Sequence, residues 1–103
     1  MNLTNKQQKF IRGEAQKIKA TAQIGKKELT DTSIESIRIL LEANELVKIH
    51  LLSNALLTKK EVIEILTDAL RLEYAYSIGN QIIVYKPSYN DEKKVLSKIV
   101  ATK

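Results

Sequence analysis

The chain has 103 residues, 44% hydrophobic and 5% aromatic, no cysteine and a formal net charge of +5. That length fits one domain around a single aliphatic core. The lack of cysteine excludes a disulfide scaffold, a thiolate metal site and a cysteine nucleophile.

Taken in chain order, residues 4–18 read as a first helix. Thr4 with Gln7 makes a capping box, in which each side chain satisfies the other residue's backbone N–H. At about 100° per residue, Leu3, Phe10, Ile11, Ala15 and Ile18 fall on one side, with Lys6, Lys9 and Arg12 opposite. Ala20 to Ile24 is a short strand of weak propensity, ending at Gly25. Residues 31–43 read as a second helix, striped by Ile34, Ile37, Leu40 and Leu41, with Thr32 and Glu35 as its expected cap. Glu45 to Ser53 is the next strand. Val47, Ile49 and Leu51 face one side; Leu46, Lys48, His50 and Leu52 face the other, which is mixed and therefore expected to be only partly covered.

Thr58 with Glu61 forms a second capping box and opens a third helix running to about Arg71. Tyr74 to Ile78 and Gln81 to Lys86 are strands joined at Gly79-Asn80, two residues that tolerate positive φ and so favour a tight hairpin. Pro87 marks the expected end of the compact domain, residues 1–87. Residues 88–103 form a basic tail, either helical from Asn90 to Ala101 or disordered. The order αβαβαββ implies crossover connections. The expectation is a small α/β domain: a four-stranded mixed sheet, partly parallel with an antiparallel final hairpin, and helices packed on it.

The charge is segregated. Residues 1–30 hold seven cations against Glu14 and Glu28; residues 31–92 hold six cations and ten acids; residues 93–103 hold four lysines and no acid. Such segregation suits a polyanion bound through one region. Ordinary solubilising surface charge accounts for it equally well. No apolar leader is present, and the longest aliphatic or aromatic run, Ile82 to Tyr85, is far too short to cross a bilayer. A cytoplasmic protein without membrane association is expected.

Gly25-Lys26-Lys27 lies between a strand and a helix. Glycine there lets the backbone turn sharply and approach a ligand, and amides near a helix N-terminus attract anions. The pattern G-x-x-x-x-G-K-[ST] is absent, which argues against a nucleoside triphosphate and leaves a phosphodiester backbone. Taken alone, a solvated loop explains the triplet at least as well.

Four segments occur in one order and spacing. They are Thr4-x-Lys6-Gln7, Ile24-Gly25-Lys26-Lys27-x-Leu29-Thr30, Asn44-Glu45-Leu46-Val47-Lys48-Ile49, and Ile78-Gly79 running to Val84-Tyr85-Lys86-Pro87. Together, over residues 2–87, they resemble the CRM domain family in its stand-alone bacterial, YhbY-like form. The resemblance implies a fold similar to the C-terminal domain of translation initiation factor three with an added N-terminal helix. It also implies RNA binding, with ribosomal RNA or precursors of the large (50S) subunit as partner. The family's G-x-x-G loop falls on Gly25 to Glu28. Here Glu28 stands where the second glycine is usual, and Ala20 where a proline is common.

The expected RNA contacts are therefore Gly25, Lys26 and Lys27, then Lys6, Lys9 and Arg12 on the first helix, with Lys17 and Lys19 just before the first strand. Each phosphate contact steepens the salt dependence of binding. Lys59 and Lys60 are read as solvated, since Glu61, Glu64 and Asp68 follow them. His50 is read as a strand-surface residue, because no His/Cys cluster accompanies it. Tyr74, Tyr76 and Tyr85 are read as sheet packing rather than base-stacking platforms. Lys93, Lys94, Lys98 and Lys103 add nonspecific affinity at most. No serine, histidine and acid form a recognisable catalytic arrangement, so no enzyme, cofactor or metal is expected. A monomer is expected. The alternative function is a protein-interaction module using the acidic middle, residues 31–92.

Overall fold

The computed structural model describes residues 3–25 and 29–103. Helix α1 (Asn5–Ala15) opens with the expected capping box: Gln7 N–H donates to Thr4 Oγ1 at 3.2 Å, and Thr4 N–H to Gln7 Oε1 at 2.8 Å. The helix ends three residues earlier than the apolar pattern suggests. Lys17 and Ile18 donate to Glu14 and Ala15, so tight i→i+3 turns prolong the spacing beyond the helix proper. Strand β1 is Ala22–Ile24 and helix α2 is Asp31–Asn44. The N-cap of α2 is Thr30, not the expected Thr32: Thr30 is extended (φ −88°, ψ 165°) and its Oγ1 accepts from Ser33 N–H.

Strand β2 is Leu46–Leu51 and helix α3 is Lys59–Leu70, whose Thr58–Glu61 capping box is formed. Glu45, expected to begin the strand, instead caps α2 in the left-handed region (φ 65°). Strands β3 (Tyr74–Ile78) and β4 (Gln81–Tyr85) form the hairpin, with Gly79 at φ +56°. In the tail, a 3₁₀ turn (Asp91–Lys93) precedes helix α4 (Leu96–Ala101).

The sheet order is β1-β2-β4-β3, with β1 parallel to β2 and the other two pairs antiparallel. This is the mixed sheet that the element order implies. The chain crosses from β2 through α3 to the far edge, then returns along β4 into the gap. Central β4 is accordingly an almost continuous buried run.

Two apolar layers flank the sheet. On one face Ile24, Val47, Ile49, Ile82 and Val84 pack against Ile37 and Leu41 of α2 and Val62, Leu66 and Leu70 of α3. On the other, Leu46, Tyr74, Ile83 and Tyr85 pack against Ile11 and Ala15 of α1 and Val100 of α4. The tail is held to the body by carboxylates of α2 and its cap. Glu42 Oε1 accepts from Ser88 Oγ, Tyr89 N–H and Asn90 N–H; Glu45 accepts from Ser88 N–H at 2.9 Å and Ser97 N–H at 3.1 Å. Gln7 Nε2 then donates to Val100 O, joining α1 to α4.

Candidate nucleic-acid interface

Strand register arranges the α1-side face of the sheet in three rows. Leu46, Tyr85 and Tyr74 are aligned across β2, β4 and β3. Lys48, Ile83 and Tyr76 form the next row, and Gln23, His50, Gln81 and Ile78 the third. Both α1 and α4 pack on the first row. The third contributes nothing to either buried cluster, and its Ile78 is 60% exposed. The third-row end of this face is therefore open, as the mixed pattern of Lys48 and His50 predicts.

The sheet also separates charge. From Leu3 to Thr21, α1 and its extension carry Lys6, Lys9, Arg12, Lys17 and Lys19 against Glu14 alone; α4 and the two residues after it add Lys98 and Lys103 without an acid. Across the sheet, α2 and α3 carry Asp31, Glu35, Glu42, Glu61, Glu64 and Asp68 against Arg38, Lys59 and Lys60. Arg38 is engaged with Glu35 by two hydrogen bonds. One layer is cationic and the other acidic, so a polyanion meets a favourable field on one side only.

Within the cationic layer the expected residues fall into separate sets. Lys6 and Lys9 are exposed and border a shallow depression with Phe10, Thr102 and Lys103, whose ammonium lies 5.0 Å from the Phe10 ring centroid. Arg12 leaves the two lysines and folds back over the sheet. Its Nε donates to Tyr74 Oη at 2.9 Å, and its guanidinium sits 5.1 Å from the Tyr76 ring centroid. Lys17 pairs with Glu14 at 3.1 Å, and exposed Lys19 lies beyond the helix.

Lys26, Lys27 and Glu28 lie outside the described residues. Their anchor does not: Gly25 follows β1, where Leu52 N–H donates to Ile24 O at 2.8 Å. A Cβ at Gly25 would lie 3.1 Å from Leu52 Cδ1. Close packing by the chain itself thus bears on this glycine. Leu51 N–H donates to Asn80 O at 2.7 Å, so the β1–α2 connection leaves the sheet at the end where the β3–β4 hairpin turns. That end also carries the open third row.

The tyrosines divide by burial. Tyr85 (1% exposed) is core, and burial first, then the nearby Glu45 and Glu73 carboxylates, push its phenol up to about 12. Tyr74 is also buried and its hydroxyl is occupied by Arg12. Tyr76 is half-buried and reachable, and Tyr89, beyond the sheet, is 77% exposed with the Lys86 ammonium 4.8 Å from its ring centroid. Sequence reading missed the grouping of Arg12, Lys48 and Tyr76. The alternation of β2 and β3 placed Lys48 and Tyr76 each on a face; only the strand order puts them in one row. His50 sits half-buried between Gln23 and Gln81, and among the described residues no group of His, Cys, Asp and Glu is placed to hold a metal. Nor, among those residues, is any helix long and apolar enough to cross a membrane.

Residues 3–86 match the family model described as the CRS1 / YhbY (CRM) domain. The chain is 36% identical over 91 residues to the probable RNA-binding protein YqeI of Bacillus subtilis, a match covering 88% of this chain and 95% of YqeI. The fold is similar to the solution structure of the hypothetical protein SAV1595 from Staphylococcus aureus, itself described provisionally as RNA-binding. The TM-score is 0.70 at 38% identity, over 86% of this chain and 93% of the other.

Proposed function

The chain belongs to the CRS1 / YhbY (CRM) domain family, and on that premise we propose that it binds ribosomal RNA in precursors of the large ribosomal subunit and assists their assembly. The mechanism is capture of the phosphate backbone. Lys26 and Lys27, beside Gly25, engage one stretch of backbone; Lys6, Lys9 and Lys19 extend the contact along α1, and Arg12 joins it from over the sheet. Structured RNA is then held by its shape and phosphates more than by base identity.

The observation that carries this reading is the division of charge by the sheet, with cations on the α1 side and acids on the α2–α3 side. The RNA-binding names of both relatives support it. The test is sedimentation of cell lysate on a sucrose gradient at moderate salt, comparing the native protein with a folded Lys26→Ala/Lys27→Ala variant. The native protein travels with large-subunit particles and the variant stays at the top. Absence of the native protein from all ribosomal fractions overturns the proposal.

A protein-interaction reading keeps one specific observation. A groove of about 810 Å³ between the end of α1, the start of β2 and the tail is bordered by Val95 (66% exposed) and Ile99 (41% exposed). A complex indifferent to salt would favour that reading, since an apolar interface is little screened.

A further inference from the structure

Between α1 and the open end of this sheet face lies a cleft of about 260 Å³. Arg12 and Gln16 border it from the helix, Lys48 and Tyr76 from the second row, Ile78 from the hairpin edge, and Ile83 forms its buried floor. No acid lines it. The volume lies just below the range of drug-sized ligand pockets, which suits a flat group of nucleobase size. We propose that this cleft is a subsite for one unpaired nucleobase of a bound RNA, stacked against the Arg12–Tyr76 pair with its phosphate facing Lys48. The inference rests on the RNA-binding reading above and adds to it the chemical group recognised.

Three features favour that occupant. Arg12 is pinned in place: the Tyr74 hydroxyl holds its Nε at 2.9 Å, leaving a guanidinium plane positioned against an aromatic ring. Unpaired bases of RNA stack on both aromatic rings and guanidinium planes. The Tyr74 and Tyr76 rings are themselves 5.3 Å apart and tilted by 32°, so Tyr76 already has an aromatic neighbour that limits its freedom before a base arrives. The two charged groups at the cleft, Arg12 and Lys48, are both cationic, and exposed Ile78 offers apolar contact at its rim. A base with its phosphate matches that combination; a purely apolar partner would leave both cations desolvated and unpaired.

The test uses the full chain and two fluorescently labelled probes: a short oligouridylate, and the same oligomer carrying abasic sites in place of its bases. Tyr76→Ala is expected to weaken oligouridylate binding roughly 5- to 150-fold, the range for loss of one base–aromatic stack. Its salt slope stays unchanged, as does its affinity for the abasic oligomer. Tyr76→Phe retains native affinity. On titration with oligouridylate, the Tyr76 ring proton resonances move upfield, an observation independent of any variant's folding. Native binding of oligouridylate with no effect of Tyr76→Ala and no upfield shift overturns the subsite alone. Equal losses on both probes overturn it too. Failure of the native chain to bind either probe or a structured ribosomal RNA transcript overturns the RNA reading itself.

Discussion

Replacing Glu45 by alanine should release the C-terminal tail without unfolding the sheet. Glu45 is completely buried, and its carboxylate is the acceptor for two backbone N–H groups of the tail, Ser88 at 2.9 Å and Ser97 at 3.1 Å. A hydrogen bond to a charged group contributes about 1.5–3 kcal/mol net. The Ser97 bond is part-buried and belongs at the low end. Their joint loss is therefore about 3–4.5 kcal/mol. The left-handed backbone at position 45 is as unfavourable for alanine as for glutamate, so it offsets none of this. The loss is bounded by the free energy of tail docking, because water satisfies both amides once the tail leaves. Docking includes burial of Val100 (3% exposed), about 1.5–3 kcal/mol at full burial. Glu42 still holds Ser88 to Asn90, so detachment of the tail from there through α4 is the expected outcome rather than global unfolding. Urea denaturation measures the loss and hydrogen exchange locates it. Protection should vanish at the Ser88 and Ser97 amides and across α4, while β4 keeps its protection. A change below about 0.5 kcal/mol, or protection lost equally in β4, would refute the assignment of Glu45 as the tail's anchor.

Acid should loosen the same junction. The Glu42 carboxyl is held below its ordinary value of 4.5, first by the Ser88 hydroxyl and then by the Tyr89 and Asn90 amides and nearby Lys86, against an opposing effect of burial. A carboxyl depressed in the folded state stabilises it fully above the ordinary value and loses that contribution as pH falls through the lowered one. Amide resonances of Ser88 to Asn90 should therefore shift below pH 4.5, ahead of the sheet. Tyr85, raised to about 12, works in the opposite direction: the unfolded phenol ionises first, so stability declines as pH rises from about 10 towards 12. Denaturant midpoints across that window check it. The two glycines at the loop end of the sheet should differ. Gly79→Ala forces a side chain into φ +56° and costs about 1 kcal/mol, despite open space around it. Gly25→Ala meets the flexible, half-buried Leu52 side chain at 3.1 Å and Asn54 Oδ1 at 3.6 Å, and the stiffer unfolded chain offsets part of that crowding, so it costs less than about 1 kcal/mol; thermal denaturation of the pair decides.

What was legible in the sequence was local. Thr4 with Gln7 and Thr58 with Glu61 announce helix starts because each box satisfies its own orphan amides, and Gly79-Asn80 announces a hairpin because its glycine takes the positive φ the turn needs. The alternation of Val47, Ile49 and Leu51 identified the inward face of β2. Thr32 was the wrong cap for α2 because Thr30-x-x-Ser33 and Thr32-x-x-Glu35 offer equivalent local chemistry, and the extended backbone at Thr30 decides between them. Glu45 looked like a strand residue because a left-handed glutamate has no sequence signal; its position is repaid by bonds to a segment more than forty residues away. The tail's docking was unreadable on the same ground. The apolar spacing of Leu96 and Val100 marks a face but not its partner, which depends on the gap that α1 leaves above Leu46 and Tyr85. For the site, sequence supplied the cations and topology supplied their grouping. Arg12 was expected beside Lys6 and Lys9, but the Tyr74 hydroxyl and Tyr76 ring draw it onto the sheet.

The central claim is that RNA is held by the α1 side of the molecule. The most direct measurement is the salt dependence of binding to a large-subunit ribosomal RNA transcript, made for the native chain, Lys6→Ala/Lys9→Ala and Lys59→Ala/Lys60→Ala. Each phosphate contact contributes about 0.9 to the slope of log affinity against log salt on a duplex. The α1 variant should lose up to about 2 from that slope and the α3 variant none. Equal slopes for the native chain and the α1 variant, with the reduction falling on the α3 variant instead, would contradict it.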